Sequence, residues 1–438
     1  MSGIFIKPTV AEQFRAFLAR GRVLFFSAPC GCGKTALAEE LLKGKAVYRL
    51  FAGEADFAFP QEEGWDILLI EDFQRLQEDA EQKALCEWIR NYPEKRFVLL
   101  SRGTPPGYLM AFQYAGLMQV LDTYALLFDR EETRSFFQEK GVKITDSELT
   151  KIMELTSGFP LGIAITARNM AQGRPLSSEL VAQGFREVFH YFETAVYRQF
   201  DLPVRRFLLE LSLFESFDLE MVRMVSGDPR AGELLDWLQH NTTMMRYDGI
   251  QKFHFWSQFR EFLLWEMGRE YSEEKRRILF NRGGLYYELK EEYPHALDCY
   301  TKGGDYAKVS ELLTRNAEQH PGMGHYYELE KYYRGLPESE ILASPALMQG
   351  MSMLCSLEAD YDASERWYEE LKQFAHRCGK QDAAGKQARS RLAWLDISLP
   401  QRAVEKLTDT IPAVFQLMRN KEITLPPFSV TSTLPSIM

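Results

Sequence analysis

The sequence predicts a parallel α/β sheet, followed by a nearly all-helical region and then an α-solenoid. Three observations carry that prediction. A glycine loop, "APCGCGKT" from Ala28 to Thr35, lies between an apolar run and a helix-forming stretch. A second apolar run, "ILLI", leads straight into Glu71 and Asp72. Beyond residue 272 a loose repeat recurs, each copy pairing an acidic residue with tyrosine ahead of a helical pattern.

Size and charge narrow the possibilities. A chain of 438 residues exceeds what one core supports. A formal net charge of −10 argues against a general nucleic-acid-binding surface. The one dense basic run, "EEKRR" from Glu273 to Arg277, is led by acids and reads as a solvated helix face. Apolar runs such as "VLFF" are too short to span a bilayer, and "MSGIFIKPTV" does not have the pattern of a signal peptide. Six cysteines, at 30, 32, 86, 299, 355 and 378, show no disulfide framework. Reduced thiols and a cytoplasmic location are the expectation.

Cys30 and Cys32 raise the question of a metal site. Zinc takes about four Cys or His ligands, yet the next cysteine is Cys86 and the first histidine is His190. A phosphate-binding loop asks for less. "VLFFS", Val23 to Ser27, reads as a buried strand, and "ALAEELLKG", Ala36 to Gly44, as a helix closed by glycine. Strand, glycine loop, Lys-Thr and helix match G-x-x-x-x-G-K-[ST], with Ala28 in place of the first glycine. Gly31 and Gly33 let backbone N–H groups face phosphate oxygens. Lys34 is expected to reach the β- and γ-phosphates and Thr35 to ligate Mg²⁺. Cys32 and Ala36 line the loop, and a thiol pKa depressed near the helix start would open the loop to slow oxidation. A dinucleotide loop is disfavoured, because Ala36 stands where the third glycine is needed.

The fold class is therefore an α/β P-loop NTPase unit. Its Mg²⁺ shell needs an acid at a neighbouring strand end. "WDILLIEDFQRL", Trp65 to Leu76, supplies Glu71 and Asp72, one for the metal and one to orient water; the alternative is an acidic helix cap. A third strand, "RFVLLSR", ends at Arg102, where a basic residue can touch the γ-phosphate or simply mark a surface strand end. "AVYRLFAG" and "LMQVLDT" add strands, and the region to about residue 125 alternates strand and helix.

These motifs, in the order "SAPCGCGKT", "LLIEDFQRL", "LLSRGTPP", resemble the LuxR-type STAND regulators related to the maltose-regulon activator. "LLFDREETRSFF" from Leu126, "LTSGFPLGIAIT" with Gly158 and Pro160, "RRFLLELSLFESFD" from Arg205 and "FHFWSQFREFLL" from Phe253 extend the resemblance along the chain. It implies that Ala28, Gly33, Lys34 and Thr35 bind phosphate, that Glu71 and Asp72 form the Walker B pair, and that Arg102 is a sensor. It also implies Pro160 near adenine and His254 in the winged-helix segment that reads the nucleotide. A turn-forming Pro160 and a core His254 are the alternatives. Glu71 replaces the family's usual Asp and Gln74 a common His, which bears on hydrolysis more than on binding.

From about residue 126 the pattern is nearly all helical, with "MMRYDGIQKFHF" as a hairpin fitting the wing. Expected domains are 1–125 (nucleotide-binding), 126–185 (helical), 186–271 (winged helix) and 272–438 (tetratricopeptide-like). In the last, "EEYPHALDCY", "GDYAKVSELL" and "ADYDASERWY" repeat, and Tyr326, Tyr327, Tyr332 and Tyr333 read as inter-helix core. The closing "LPPFSVTSTLPSIM" contains no helix-turn-helix, so the chain is expected to be the N-terminal part of a longer regulator, or a natural short form. The expected function is an ATP/ADP- and Mg²⁺-dependent switch. ADP holds a resting monomer, and ATP plus an unknown inducer on the solenoid drives self-association, with slow hydrolysis as reset. DNA would be reached only through a further domain, and no membrane is involved. The rival readings are a small-molecule kinase and a scaffold with a vestigial loop.

Overall fold

The structure, a computed structural model, describes residues 4–54, 57–60, 64–319, 325–379, 382–399, 401–402, 412 and 414–419. It divides into two compact units, Met1–Tyr271 and Ser272–Met438.

The first unit opens with α1 (Pro8–Arg20) and β1 (Val23–Ser27), then α2 (Lys34–Leu41), β2 (Val47–Phe51), β3 (Ile67–Glu71), α3 (Asp79–Asn91), β4 (Arg96–Ser101), α4 (Met110–Tyr114) and β5 (Met118–Asp122). The strands form one sheet in the order β2-β3-β4-β1-β5, every pair parallel. Every residue of β1 is buried, as are Ile67–Ile70 of β3 and Phe97–Ser101 of β4. A parallel sheet covered on both faces demands such unbroken apolar runs. Register aligns Ser27 with Ser101 and with Asp122, so β4, β1 and β5 end level. Ser27 Oγ donates to the Gly103 carbonyl at 3.0 Å, pinning the turn after β4 against the glycine loop's root.

Helices follow: α5 (Thr123–Leu126), α6 (Arg130–Glu139), α7 (Asp146–Thr156), α8 (Pro160–Ala171) and α9 (Ser178–Ala195). Asp129 with Glu132, and Thr145 with Glu148, make reciprocal capping boxes that start α6 and α7. Pro160 takes the first turn of α8, where its missing N–H costs nothing. The turn before it is tight. Gly158 has φ +78°, and an added Cβ would stand 2.3 Å from the Phe128 carbonyl oxygen.

Next come α10 (Leu202–Ser212), α11 (Leu219–Ser226), α12 (Ala231–Asn241), the antiparallel hairpin β6 (Met245–Tyr247) and β7 (Phe253–Phe255), and α13 (Ser257–Glu270). A bridge from Phe217 to Phe253 adds a third backbone segment to the hairpin, giving the winged-helix layout. Asp248 caps the wing's turn: its Oδ1 accepts from the backbone N–H groups of Ile250, Gln251 and Lys252. Those donors hold its carboxyl down at about 2.

The second unit is all helical: α14 (Glu273–Leu289), α15 (Tyr293–Gly303), α16 (Tyr306–Gln319), α17 (Glu330–Gly335), α18 (Glu338–Ala343), α19 (Pro345–Leu357), α20 (Tyr361–Arg377) and α21 (Ala383–Ser398). Successive helices pack on one another, α14 on α15 and α19 on α20 most closely. Small residues let helices approach closely: a Cβ on Gly284 of α14 would meet the Tyr300 ring of α15 at 2.7 Å, and one on Gly350 of α19 the Tyr333 hydroxyl of α17 at 2.5 Å. Tyr326, Tyr332 and Tyr333 are buried as core, whereas Tyr327 is exposed, a departure from the expectation for that residue. The "EEKRR" run opens α14 and is largely solvent-facing. The closing "LPPFSVTSTLPSIM" lies outside the described residues.

Two measurements check this account. Gly158→Ala is expected to lower unfolding stability by roughly 2 kcal/mol or more, since it adds left-handed strain to a backbone clash; chemical denaturation reads this. The Asp248 carboxyl, followed by NMR, should titrate near 2 rather than at its ordinary value of 3.8. Because its folded pKa is depressed, its support of the wing is complete above the ordinary value and disappears as pH falls towards 2.

Candidate functional site

The loop between β1 and α2 is shaped by two glycines. Gly31 (φ +92°) and Gly33 (φ +77°) take left-handed conformations that few side chains tolerate. Gly31 has a second reason to lack a side chain, because an added Cβ would stand 2.6 Å from the Phe159 ring. The helical segment therefore sits directly on the loop. Gly33 forms the N-cap of α2, so the positive end of that helix faces the loop.

Around this loop lie two cavities. One, of about 300 Å³, is polar; Lys34, Thr35, Glu71, Asp72, Arg102 and Tyr191 are among its lining residues. The other, of about 680 Å³, is mostly apolar, with Phe5, Leu126, Phe128, Phe136, Pro160 and Leu161 among its lining residues, and Lys7, Lys140 and Arg168 also border it. Gly31, Gly33, Ala36 and Leu161 border both, so the cavities abut along the loop.

In the polar cavity every charged group is held. Lys34 Nζ donates to the Ala28 and Pro29 carbonyls at 2.7 and 3.0 Å. Burial keeps its ammonium below the ordinary lysine range. Thr35 Oγ1 donates to Glu71 Oε2 at 3.0 Å. Arg49, on the edge strand β2, faces Glu71 Oε1 with its Nε at 2.5 Å and Glu39 Oε1 with its Nη2 at 2.7 Å. It thus links the helix after the loop to the acidic strand end. The hydrogen bond to Glu39 is the main reason its pKa is raised. Asp72 adopts a left-handed backbone (φ 48°). Its Oδ1 lies 3.2 Å from Arg102 Nη2 and accepts from Gln74 Nε2 at 3.2 Å. Gln74 Oε1 in turn accepts the Arg102 backbone N–H at 3.0 Å.

Helix α9 closes the other side. Tyr191 Oη and Cys30 Sγ lie 3.0 Å apart, and Arg102 Nη1 donates to the Ala195 carbonyl at 2.9 Å. Burial, foremost, raises the Tyr191 phenol. Just beyond Arg102, Gly103 approaches α12 so closely that a Cβ would stand 2.4 Å from the His240 carbonyl oxygen. The end of β4 thus touches both α9 and the winged helix.

The structure brings together Ala28, Gly31, Cys32, Gly33, Lys34, Thr35, Ala36, Glu71, Asp72, Arg102 and Pro160 around the loop. It does not bring His254 there. That residue sits on β7, its Nε2 3.7 Å from Asp248 Oδ2, and lines neither cavity. The thiol expectation is corrected for Cys32: burial pushes its pKa up to about 12, outweighing the pull of Lys34. Among the described residues, no group of three or more His, Cys, Asp or Glu could hold a metal, and all six cysteines are free. Arg49 and Tyr191 were missed in the sequence. Neither has a local motif; the only hint for Arg49 is a charge inside an otherwise apolar strand run.

Three comparisons place the chain among known proteins. Residues 193–275 match the family model described as the MalT winged helix domain. The HTH-type transcriptional regulator MalT of Vibrio campbellii is 23% identical over 322 residues, covering 72% of this chain and 35% of that protein. Among solved structures, the Walker-type ATPase of Pyrococcus abyssi aligns with a TM-score of 0.47 at 12% identity, covering 59% of this chain and 96% of that one. A STAND protein with a tetratricopeptide repeat sensor from Pyrococcus horikoshii aligns at 0.34 and 16% identity, covering 94% and 65%. The chain spans about a third of the length of the curated relatives it matches. No helix among the described residues is long and apolar enough to cross a membrane. With a parallel five-stranded sheet, a MalT winged helix and a run of C-terminal helices, the chain is a distant homologue of the MalT-type transcriptional regulators.

Proposed function

We propose that this chain is the nucleotide-binding switch of a transcription regulator, taking ADP or ATP across the glycine loop. The observation that carries the reading is the junction of the two cavities at Gly31, Gly33 and Ala36. An apolar chamber lined by Phe5, Phe128 and Pro160 suits a base. A polar chamber fitted with Lys34, Arg102 and a helix N-terminus suits phosphates. Lys34 would exchange the loop carbonyls for phosphate oxygens. Thr35 and Glu71 present hydroxyl and carboxylate oxygens 3.0 Å apart, the hard donors Mg²⁺ prefers. Those two residues would hold the ion, which when bound supplies positive charge beside the β- and γ-phosphates. Asp72, tethered by Arg102 and Gln74, is left to orient water for slow in-line hydrolysis.

The switching element in this reading is α9. Tyr191 and the Ala195 carbonyl fasten it to Cys30 and Arg102. A γ-phosphate that drew Arg102 toward itself would release the Ala195 carbonyl. ADP leaves that tie intact, so the two nucleotides differ in affinity for the tied and untied states, as any population shift requires. An inducer bound by the second unit would add to the untied state and favour self-association. The link to transcription follows the name of the MalT relatives, and contact with DNA through a further domain is part of the same proposal.

Acid denaturation of freshly purified protein should release stoichiometric ADP, and Lys34→Ala should release none. Removing this charged donor should weaken ADP at least about tenfold, in line with roughly 1.5–3 kcal/mol for a charge-assisted hydrogen bond. A wild type that is empty and also fails to take up added ATP would sink the proposal. Titrations of ATP with and without Mg²⁺ separate the acids: Glu71→Gln should remove most of the Mg²⁺-dependent gain and leave metal-free ADP binding within about threefold. An unchanged Mg²⁺ gain would remove Glu71 from the metal site.

A further inference from the structure

A third cavity, of about 180 Å³, lies on the far side of Arg102, between the ends of β3 and β4 and the winged helix. Arg75 and Arg102 both line it, and none of its lining residues is acidic. Arg75 is exposed and makes no ion pair among the described residues. Thr242 also lines it, and its buried hydroxyl has no hydrogen-bond partner. Natural structures seldom leave such a group unsatisfied without a ligand, ion or water to meet it. Trp237 and Phe200 form an aromatic wall, their rings edge to face with centroids 6.0 Å apart. Trp237 is 39% exposed, so its ring is open to a ligand in the cavity.

We propose that this cavity binds a small aromatic organic anion, a carboxylate or phosphate monoester. Its charge would sit between Arg75 and Arg102, its oxygen would accept from the Thr242 hydroxyl, and its ring would lie against Trp237. Two guanidinium groups beside a flat apolar wall, with no carboxylate in the lining itself, select for that chemistry. The site is also coupled to the nucleotide cavity, because Arg102 borders both. An anion here competes with Asp72 for the Arg102 guanidinium and draws it away from the phosphate side. The coupling rests on the nucleotide reading above, whereas the anion site stands without it.

Calorimetry on the whole chain, nucleotide removed, tests the site directly with benzoate, phenyl phosphate and neutral benzamide. Benzoate or phenyl phosphate should bind at least tenfold more tightly than benzamide, and comparing the two identifies the preferred head group. Arg75→Gln and Thr242→Val should each weaken the preferred anion at least fivefold while keeping the wild-type melting temperature within a few degrees. Saturating anion should then weaken a fluorescent ADP analogue about fivefold or more, and the ADP analogue should weaken the anion by the same factor. That mutual effect should vanish in Arg75→Gln. Benzamide binding as well as the anions, or both variants binding within twofold of wild type, would overturn the site. Anion binding that survives Arg75→Gln and is lost in Lys34→Ala would place the anion in the phosphate cavity instead and overturn it equally. Anion binding that leaves the nucleotide analogue untouched would overturn the coupling. Failure of the analogue to bind at all would count against the nucleotide reading and leave the calorimetric result intact.

Discussion

Arg102 is the point at which the first unit is tied together. Its guanidinium faces Asp72 at the end of β3 and the Ala195 carbonyl at the end of α9, while its backbone N–H is held by Gln74. One residue thus joins the sheet, the acidic turn and the long helix that closes the site. A half-exposed ion pair alone would contribute little. The arrangement matters because two segments meet on the Arg102 side chain and a third holds its backbone, so a movement of Arg102 is felt by all three. The Ser27–Gly103 hydrogen bond fixes the strand end from which Arg102 projects.

Around that point the charges are balanced locally. Glu71 is shared by Thr35 and Arg49, Asp72 by Arg102 and Gln74, and Lys34 by two carbonyls. Each charged group of this site already faces an opposite charge or a hydrogen-bond partner, so a polar ligand group must displace one. Binding therefore becomes an exchange of hydrogen bonds, whose net worth is far smaller than their gross strength.

Much of this was legible in the sequence, and the reason is physical. "VLFFS", "ILLI" and "FVLL" could only be strands buried on both faces, and the glycine loop with Lys34 and Thr35 is local by construction. The wing hairpin around Asp248 is local as well. What the sequence hid was long-range. Arg49 reaches Glu71 because β2 pairs with β3, and Tyr191 reaches Cys30 across 161 positions of chain. The thiol of Cys32 illustrates the limit differently. Proximity to Lys34 and a helix start argues for a low pKa, but burial, which no local pattern discloses, wins. His254 reads as a candidate ligand from its segment, and the fold puts it beside Asp248 instead.

The contact at Gly103 has an evolutionary side. Because the His240 carbonyl sits where any Cβ would be, this junction between sheet and winged helix is at its closest approach already. Sequence drift at this position has only one direction. Every replacement is larger, and every larger residue acts as a spacer between the two parts. Variation here can therefore loosen the joint in graded steps but never tighten it. A lineage could set how closely these two parts are held at a single codon, without altering any residue that lines the glycine loop.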